Sequence, residues 1–166
     1  MNGFDDVLGA NAEYAEQFRD SGLAGTAARG LAVVTCMDSR ISPLEMLGLS
    51  PGDAKILRNA GARVTDDVLR TLVLAVHLLG VDRVLLVAHT DCRMTKVTDD
   101  DVHATIAAES GVDTRSLDFH TIPDQQATLA RDVQRIRSSP YLPADLAVAG
   151  ALYDVRTGRI EVVVPA

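Results

Sequence analysis

The chain has 166 residues and a mass of 17.7 kDa, a length typical of one domain, and we expect residues 1–166 to form a single domain. Hydrophobic residues make up 47% and charged residues 23% of the chain, which excludes a disordered, collagen-like or coiled-coil protein. Sixteen Lys and Arg against twenty-three Asp and Glu give a formal charge of −7, which argues against partners such as nucleic acid or an anionic membrane.

Short apolar runs alternate along the chain with amphipathic stretches, which is the pattern of βαβ units. A first helix is expected near residues 10–20, and a buried strand over residues 31–35. The Ser-Pro-Leu-Glu sequence at 42–45 is a helix-start pattern, in which Ser42 is the N-cap and Glu45 completes a capping box. It predicts a short helix that ends near residue 47.

The middle of the chain holds the most regular elements. A second strand is predicted over residues 54–58, followed by a loop at 59–62. Thr65 caps a helix whose apolar residues recur at helical spacing until Gly80 ends it. Residues 83–88 are the most apolar strand, and they lead directly into a cluster of polar residues.

The last third of the chain completes the sheet. Thr98 caps a helix with an acidic first turn, and a second helix begins within residues 121–124. Two strands, at 146–153 and 159–164, form a terminal hairpin around a Thr-Gly turn. The sequence therefore predicts an α/β fold with a mostly parallel β-sheet, four parallel strands plus an antiparallel edge strand, flanked by helices.

The apolar runs and the start of the chain predict a cytoplasmic protein. No apolar run approaches the roughly 18 to 20 residues that cross a bilayer. Residues 1–6 are acidic, where a secretory signal would be basic. In that compartment Cys36 and Cys92 are expected to be thiols rather than a structural disulfide.

Both cysteines and a histidine follow predicted strands. Cys36 follows the strand at 31–35, while His89 and Cys92 follow the strand at 83–88. Ligand sites of open parallel sheets lie beyond the carboxyl ends of the strands. Two thiolates and an imidazole suit Zn²⁺, and a set of three protein ligands leaves the fourth position that catalytic zinc sites keep open. We therefore expect one Zn²⁺ per chain.

The C-M-D-S-R sequence at 36–40, the H-T-D-C sequence at 89–92 and the R-N-A-G sequence at 58–61 together resemble the β-class carbonic anhydrases. The resemblance covers residues 31–94 in motifs and the whole chain in element order. It implies zinc-dependent reversible hydration of carbon dioxide to bicarbonate and a proton, by attack of zinc-bound hydroxide. It assigns Cys36, His89 and Cys92 as zinc ligands, Asp38 and Arg40 as a catalytic pair, and Asn59, Ala60 and Gly61 as pocket residues.

Asp38 and Arg40 have a physical reason to stand beside such a zinc ion. Two thiolates cancel the formal charge of Zn²⁺, so this centre acidifies water weakly unless neighbours assist. Asp38 can accept a hydrogen bond from that water, and Arg40 keeps the carboxylate ionised and aimed. In related enzymes the same aspartate closes the zinc site until the arginine withdraws it, so the resemblance also implies a pH-dependent switch.

Arg93 departs from the family pattern, which commonly has Gly directly after the second cysteine. The arginine either narrows the pocket, attracts bicarbonate, or points away into a salt bridge. Two alternatives follow for the function: hydrolysis of CS2 or COS by the same centre, and a non-catalytic protein that binds zinc and bicarbonate.

The sequence gives less support to two other classes of function. A thiol-redox enzyme lacks its C-x-x-C pair, and a dinucleotide-binding fold lacks G-x-G-x-x-G after the first strand. The resemblance also implies a homodimer or higher homo-oligomer, because the helix that contains Tyr14 and Phe18 has an apolar side with little nearby in the chain to cover it.

Overall fold

The computed structural model describes residues 3–166. Met1 and Asn2, part of the acidic start that argued against a signal sequence, lie outside this range. Two 3₁₀ turns, Ala60–Ala62 and Arg93–Thr95, accompany the regular elements. In chain order these are α1 (Asp5–Gln17), β1 (Leu31–Cys36), α2 (Pro43–Met46), β2 (Ala54–Asn59), α3 (Asp66–Leu78), β3 (Arg83–His89), α4 (Asp99–Ser110), α5 (Gln125–Arg137), β4 (Ala147–Tyr153) and β5 (Ile160–Val164).

The sheet has the strand order β2-β1-β3-β4-β5. The first four strands are parallel and β5 runs antiparallel to β4, which confirms the predicted fold class. From β1 the chain moves outward to β2 and then crosses back to β3 on the other side of β1. The strand order therefore reverses between β1 and β3, and the crevice at their carboxyl ends is the place where such sheets bind ligands.

The core lies between the sheet and helices α3 and α5. Leu72 of α3, Leu86 of β3 and Ile136 of α5 are among its largest fully buried side chains. Val33 and Val34 of β1 point to opposite faces of the sheet and both are buried, as expected for a central parallel strand. No helix of the described residues is long and apolar enough to span a membrane.

Two local predictions were wrong in detail. Helix α1 begins at Asp5 instead of near residue 10, and none of its residues is buried. The capping box predicted at Ser42 and Glu45 does not form, because the Ser42 side chain accepts no cap hydrogen bond. The Thr65, Thr98 and Asp124 side chains do cap their helices, and each accepts a hydrogen bond from a backbone N–H of the first turn.

The predicted ends of most other elements are confirmed. Gly80, with a φ of 72°, follows the last residues of α3 as the stop signal indicated. Thr98 and Asp101 form a complete capping box at the start of α4. The segment predicted as a loop at 59–62 forms a 3₁₀ turn in which Gly61 has a φ of 81°.

Candidate metal centre and active site

The three predicted metal ligands lie together at the carboxyl edge of the sheet. Cys36 is the last residue of β1, His89 is the last residue of the neighbouring strand β3, and Cys92 follows three positions later. One ligand atom from each residue lies within 4.8 Å of the other two, and all three residues are buried. The parallel pairing of β1 with β3 thus brings together residues that are 53 and 56 positions apart.

His89 presents one ring nitrogen to this group. Its Nδ1 is 2.8 Å from the carbonyl oxygen of Thr90, which fixes the ring and leaves Nε2 as the coordinating atom. Nε2 is buried and has no hydrogen-bond partner among the residues described. Buried polar atoms are almost always paired. An unpaired imidazole nitrogen beside two thiols is therefore the arrangement that fits a zinc ion.

The two thiols have different acidities. The pKa of Cys36 is lowered to about 4, chiefly because the Cys92 thiol donates a hydrogen bond to its sulfur. The backbone N–H of Gly61 also donates to Cys36 Sγ, at 3.3 Å. The same hydrogen bond and burial raise the pKa of Cys92. The hydrogen bond between the two sulfurs thus favours a thiol–thiolate pair that shares one proton, and zinc binding requires both sulfurs to be deprotonated.

Asp38 and Arg40 form a two-pronged ion pair at the edge of the ligand group. Arg40 Nε lies 2.9 Å from Asp38 Oδ1, and its NH2 lies 2.8 Å from Oδ2. The backbone N–H of Arg40 donates a third hydrogen bond to Oδ1. These contacts hold the pKa of Asp38 well below its usual range. Asp38 Oδ2 lies 3.9 Å from His89 Nε2, so the ionised carboxylate faces the metal-ligand group from close by.

Arg58 supports this loop and was not identified from the sequence as a site residue. Its Nε donates to the carbonyl oxygen of Cys36 at 2.9 Å, and its NH2 donates to that of Asp38 at 2.7 Å. Arg58 precedes the last residue of β2, which pairs with β1 in parallel register. The R-N-A-G sequence at 58–61 could have identified Arg58, because it places an arginine at the end of a predicted strand.

The predicted pocket residues differ in position. Ala60 and Arg93 line the cavity above the ligands, whereas Asn59 and Gly61 do not. The Asn59 side chain donates to the carbonyl oxygen of Arg63 and accepts from its N–H, so it clasps the 3₁₀ turn between them. Gly61 is buried behind that turn.

The cavity has a volume of about 430 Å³. Arg93 is exposed at its mouth, and its guanidinium has no ion pair or hydrogen bond with residues 3–166. Of the three alternatives for Arg93, the salt bridge that points away from the pocket is therefore not seen among residues 3–166. The cavity wall includes Cys36, Asp38, Arg40, Ala60, Cys92 and Arg93.

Comparison with known proteins agrees with this geometry. The family model described as carbonic anhydrase matches residues 31–160. The chain is 36% identical to β-carbonic anhydrase 1 of Mycobacterium bovis over 161 residues, covering 97% of this chain and 98% of the relative. It is 30% identical to carbon disulfide hydrolase of an Acidianus species, covering 80% of this chain and 76% of that protein.

Among solved structures, carbonic anhydrase from Streptococcus mutans superposes with a TM-score of 0.92 at 38% identity. The match covers 98% of each chain. The sheet order, the Cys-His-Cys group at the strand ends and these two full-length similarities lead to one assignment. This chain belongs to the β-carbonic anhydrase family.

Proposed function

We propose that this protein catalyses the reversible hydration of carbon dioxide to bicarbonate and a proton with one zinc ion per chain. The observation that carries the proposal is the unpaired, buried Nε2 of His89 beside the sulfurs of Cys36 and Cys92. Zinc, when bound, supplies Lewis-acid chemistry that makes water nucleophilic near neutral pH. We assign the three side chains as its ligands.

The chain's own residues orient the reactants. Asp38, held by Arg40, presents Oδ2 toward the ligand group, where it accepts a hydrogen bond from the attacking water and aims the oxygen lone pair. Met37, Ala60 and Met94 give the cavity an apolar side that suits CO2, which carries no charge. The proton released leaves through the open mouth of the cavity to buffer.

The direct test is stopped-flow CO2 hydration across pH on protein whose zinc content has been measured. Cys36→Ser serves as the metal-poor control, because a hydroxyl is a poor zinc ligand. Turnover that follows zinc content is the expected result. One zinc per chain without turnover at any pH would overturn the proposal.

A substitution at Arg93 distinguishes the proposed function from its two alternatives. Arg93, which has no ion pair with residues 3–166, favours an anion at the cavity mouth, so a non-catalytic bicarbonate-binding protein is the second candidate. The similarity to a carbon disulfide hydrolase makes CS2 the alternative substrate. Assaying Arg93→Gly for CO2 hydration and CS2 hydrolysis distinguishes these: a gain of CO2 turnover shows that the arginine obstructs the pocket, and CS2 turnover above that for CO2 reassigns the substrate.

We further propose that residues 1–166 form one domain and that two copies assemble into a homodimer. The exposed apolar side chains of α1 support an assembly, since no part of the described chain covers them. A cytoplasmic location is supported by the two thiol ligands, because a reducing compartment keeps them from forming a disulfide.

A further inference from the structure

Asp91 contacts the arginine of the active site from the side opposite to Asp38. Its carboxylate Oδ2 accepts from Arg40 NH1 at 2.9 Å, and its carbonyl oxygen accepts from Arg40 NH2 at 3.2 Å. Asp91 lies between His89 and Cys92 in sequence, yet its side chain is directed to Arg40. The proposed function assigns it no role.

The two aspartates do not compete for Arg40. Asp38 occupies the edge of the guanidinium formed by Nε and NH2, while the Asp91 carboxylate takes NH1. A guanidinium has five donors in a rigid plane, so a carboxylate on each side fixes both its position and its tilt. Removing Asp91 leaves Arg40 bound to Asp38 but free to swing as a pair with it.

The backbone of Asp91 is held in an uncommon conformation. Its φ is 58°, in the left-handed region that side chains other than those of Asn and Asp rarely adopt. Such a conformation costs roughly 1 kcal/mol and persists where surrounding contacts require it. Here it directs the carboxylate towards Arg40.

Lys96 balances the charge of this arrangement. Its ammonium pairs with Asp91 Oδ1, the oxygen that Arg40 does not use. The four side chains thus alternate in sign from Asp38 through Arg40 and Asp91 to Lys96. Without the lysine, Asp91 would place an uncompensated negative charge near a centre that has to admit bicarbonate.

We propose that Asp91 is a positioning residue of this active site. It holds Arg40 in the orientation that keeps the Asp38 carboxylate at the edge of the metal-ligand group, available to the reacting water and away from the metal's fourth position. Lys96 neutralises Asp91 so that anions still enter. This inference rests on the proposed zinc chemistry and adds residues that control access to the fourth position.

The test replaces the carboxylate while keeping the backbone. Asn tolerates a φ of 58° and Gly adopts it without strain, so Asp91→Asn and Asp91→Gly both remove the carboxylate and keep this backbone. Each is combined with Lys96→Gln, which keeps the net charge of the site unchanged, because Lys96 left without Asp91 would itself attract anions. Asp113→Asn is the control, because Asp113 also pairs with an arginine, Arg115, and lines a different cavity. Each variant is purified with zinc and, separately, with cobalt.

Four readouts are measured: metal content, melting temperature, kcat for CO2 hydration by the zinc protein, and the dissociation constant for thiocyanate from the visible spectrum of the cobalt protein. We expect both Asp91 variants to keep the metal and to bind thiocyanate about two- to five-fold more weakly, with kcat for CO2 hydration falling by a similar factor. This size follows from the exposure of the pair, 44% for Arg40 and 37% for Asp91. Asp113→Asn should match the parent in all four readouts.

Two results would overturn the proposal. Thiocyanate affinity equal to that of the parent in both Asp91 variants would show that Arg40 needs no second carboxylate. Loss of metal or of thermal stability in both would show that Asp91 only supports the loop. Because thiocyanate binding is read on the cobalt protein, a parent enzyme without CO2 turnover would contradict the proposed function and still leave the role of Asp91 measurable.

Discussion

The Asp38 carboxylate accepts three hydrogen bonds from Arg40 alone, one from its backbone and two from its guanidinium. These donors use both oxygens, and Oδ2 lies 3.9 Å from His89 Nε2 with acceptor capacity left over. Asp38 therefore remains ionised and fixed in position, as a residue that orients a reacting water must be.

Asp38→Asn tests this role directly. The amide is the same size, so we expect the protein to bind one zinc per chain as before. An amide accepts on one side only, and the turnover of CO2 at neutral pH should fall about 10- to 100-fold, the usual cost of losing an outer-shell partner of a metal site. Zinc analysis and stopped-flow hydration measure both. Loss of the metal would mean that Asp38 mainly supports the binding loop.

Gly61 is a second residue on which the site depends, because a side chain there would have to displace its neighbours. With a φ of 81°, a Cβ atom would lie 2.8 Å from Ile122 Cδ1 and 3.3 Å from Met94 Cγ. Its N–H donates to the Cys36 sulfur, so a shift of this backbone also disturbs a zinc ligand.

We expect Gly61→Ala to lower the free energy of unfolding by about 2 to 4 kcal/mol, from backbone strain and overpacking together, and to weaken zinc binding. Gly158→Ala is the matched control, because Gly158 has a φ of 71° with no atom within 4 Å of its Cβ position. It should lose only about 1 kcal/mol from strain and keep its zinc affinity. Equal losses in the two variants, measured by urea denaturation, would contradict the packing argument.

At the scale of elements, the Asp99 carboxylate is one of the groups that join α4 to the segment before α5. Asp99, the first residue of α4, accepts from the backbone N–H of Phe119 at 2.7 Å and from that of Thr121 at 3.0 Å. The Thr121 hydroxyl also donates to it. These hydrogen bonds, that of the hydroxyl foremost, lower the pKa of Asp99 to about 2.

Because this pKa is lower in the folded protein, the ionised carboxylate stabilises the fold above about pH 4, and the contribution is lost as the pH falls towards 2. Asp99→Asn should lower the free energy of unfolding at pH 7 by about 1 to 2 kcal/mol. The difference from the parent should shrink between pH 4 and pH 2. Asp100→Asn, exposed in the same helix turn, controls for the helix dipole. A pH-independent difference would mean that the charge plays no part.

Sequence periodicity was sufficient for most elements, because buried strands and amphipathic helices follow from apolar spacing alone. It also placed Cys36 and His89 at strand ends, where a parallel sheet has to bring them together. It failed for α1, whose exposed apolar residues carry no clear burial pattern. The contacts of Arg58 and Asp91 were out of reach, because they depend on register and on side-chain directions that no local pattern contains.

The contacts of the 3₁₀ turn at Ala60–Ala62 could not be predicted from the sequence either. Asn59 was predicted to line the pocket, but its amide clasps the backbone of Arg63. Arg63 in turn donates to Asp132 of α5 at 2.8 Å, a pair that is mostly buried. The turn that presents Gly61 to Cys36 is thus tied to a helix about 70 positions later, and only the folded chain shows this.

For the whole molecule, the feature that needs an explanation is the exposed apolar surface of α1. Helix α1 buries none of its residues against the rest of the described chain, and Val7, Leu8 and Tyr14 are more than half exposed. Phe18, directly after the helix, contacts Tyr14 in a tilted arrangement with ring centroids 5.7 Å apart, and it is also exposed. A 13-residue helix is marginal on its own in water, so packing from outside the chain has to stabilise it.

A second copy of the chain is the partner that we expect, and light scattering coupled to size exclusion should give twice the chain mass of 17.7 kDa. Replacing Leu8 and Phe18 together by Ser removes apolar area from α1 and should shift the protein to a monomer, with far-ultraviolet circular dichroism losing about one helix. Leu117→Ser, an equally exposed apolar position outside α1, is the control and should leave the mass unchanged. A parent protein that is monomeric at micromolar concentration, or a doubly substituted protein that remains dimeric, would show that α1 does not mediate the assembly.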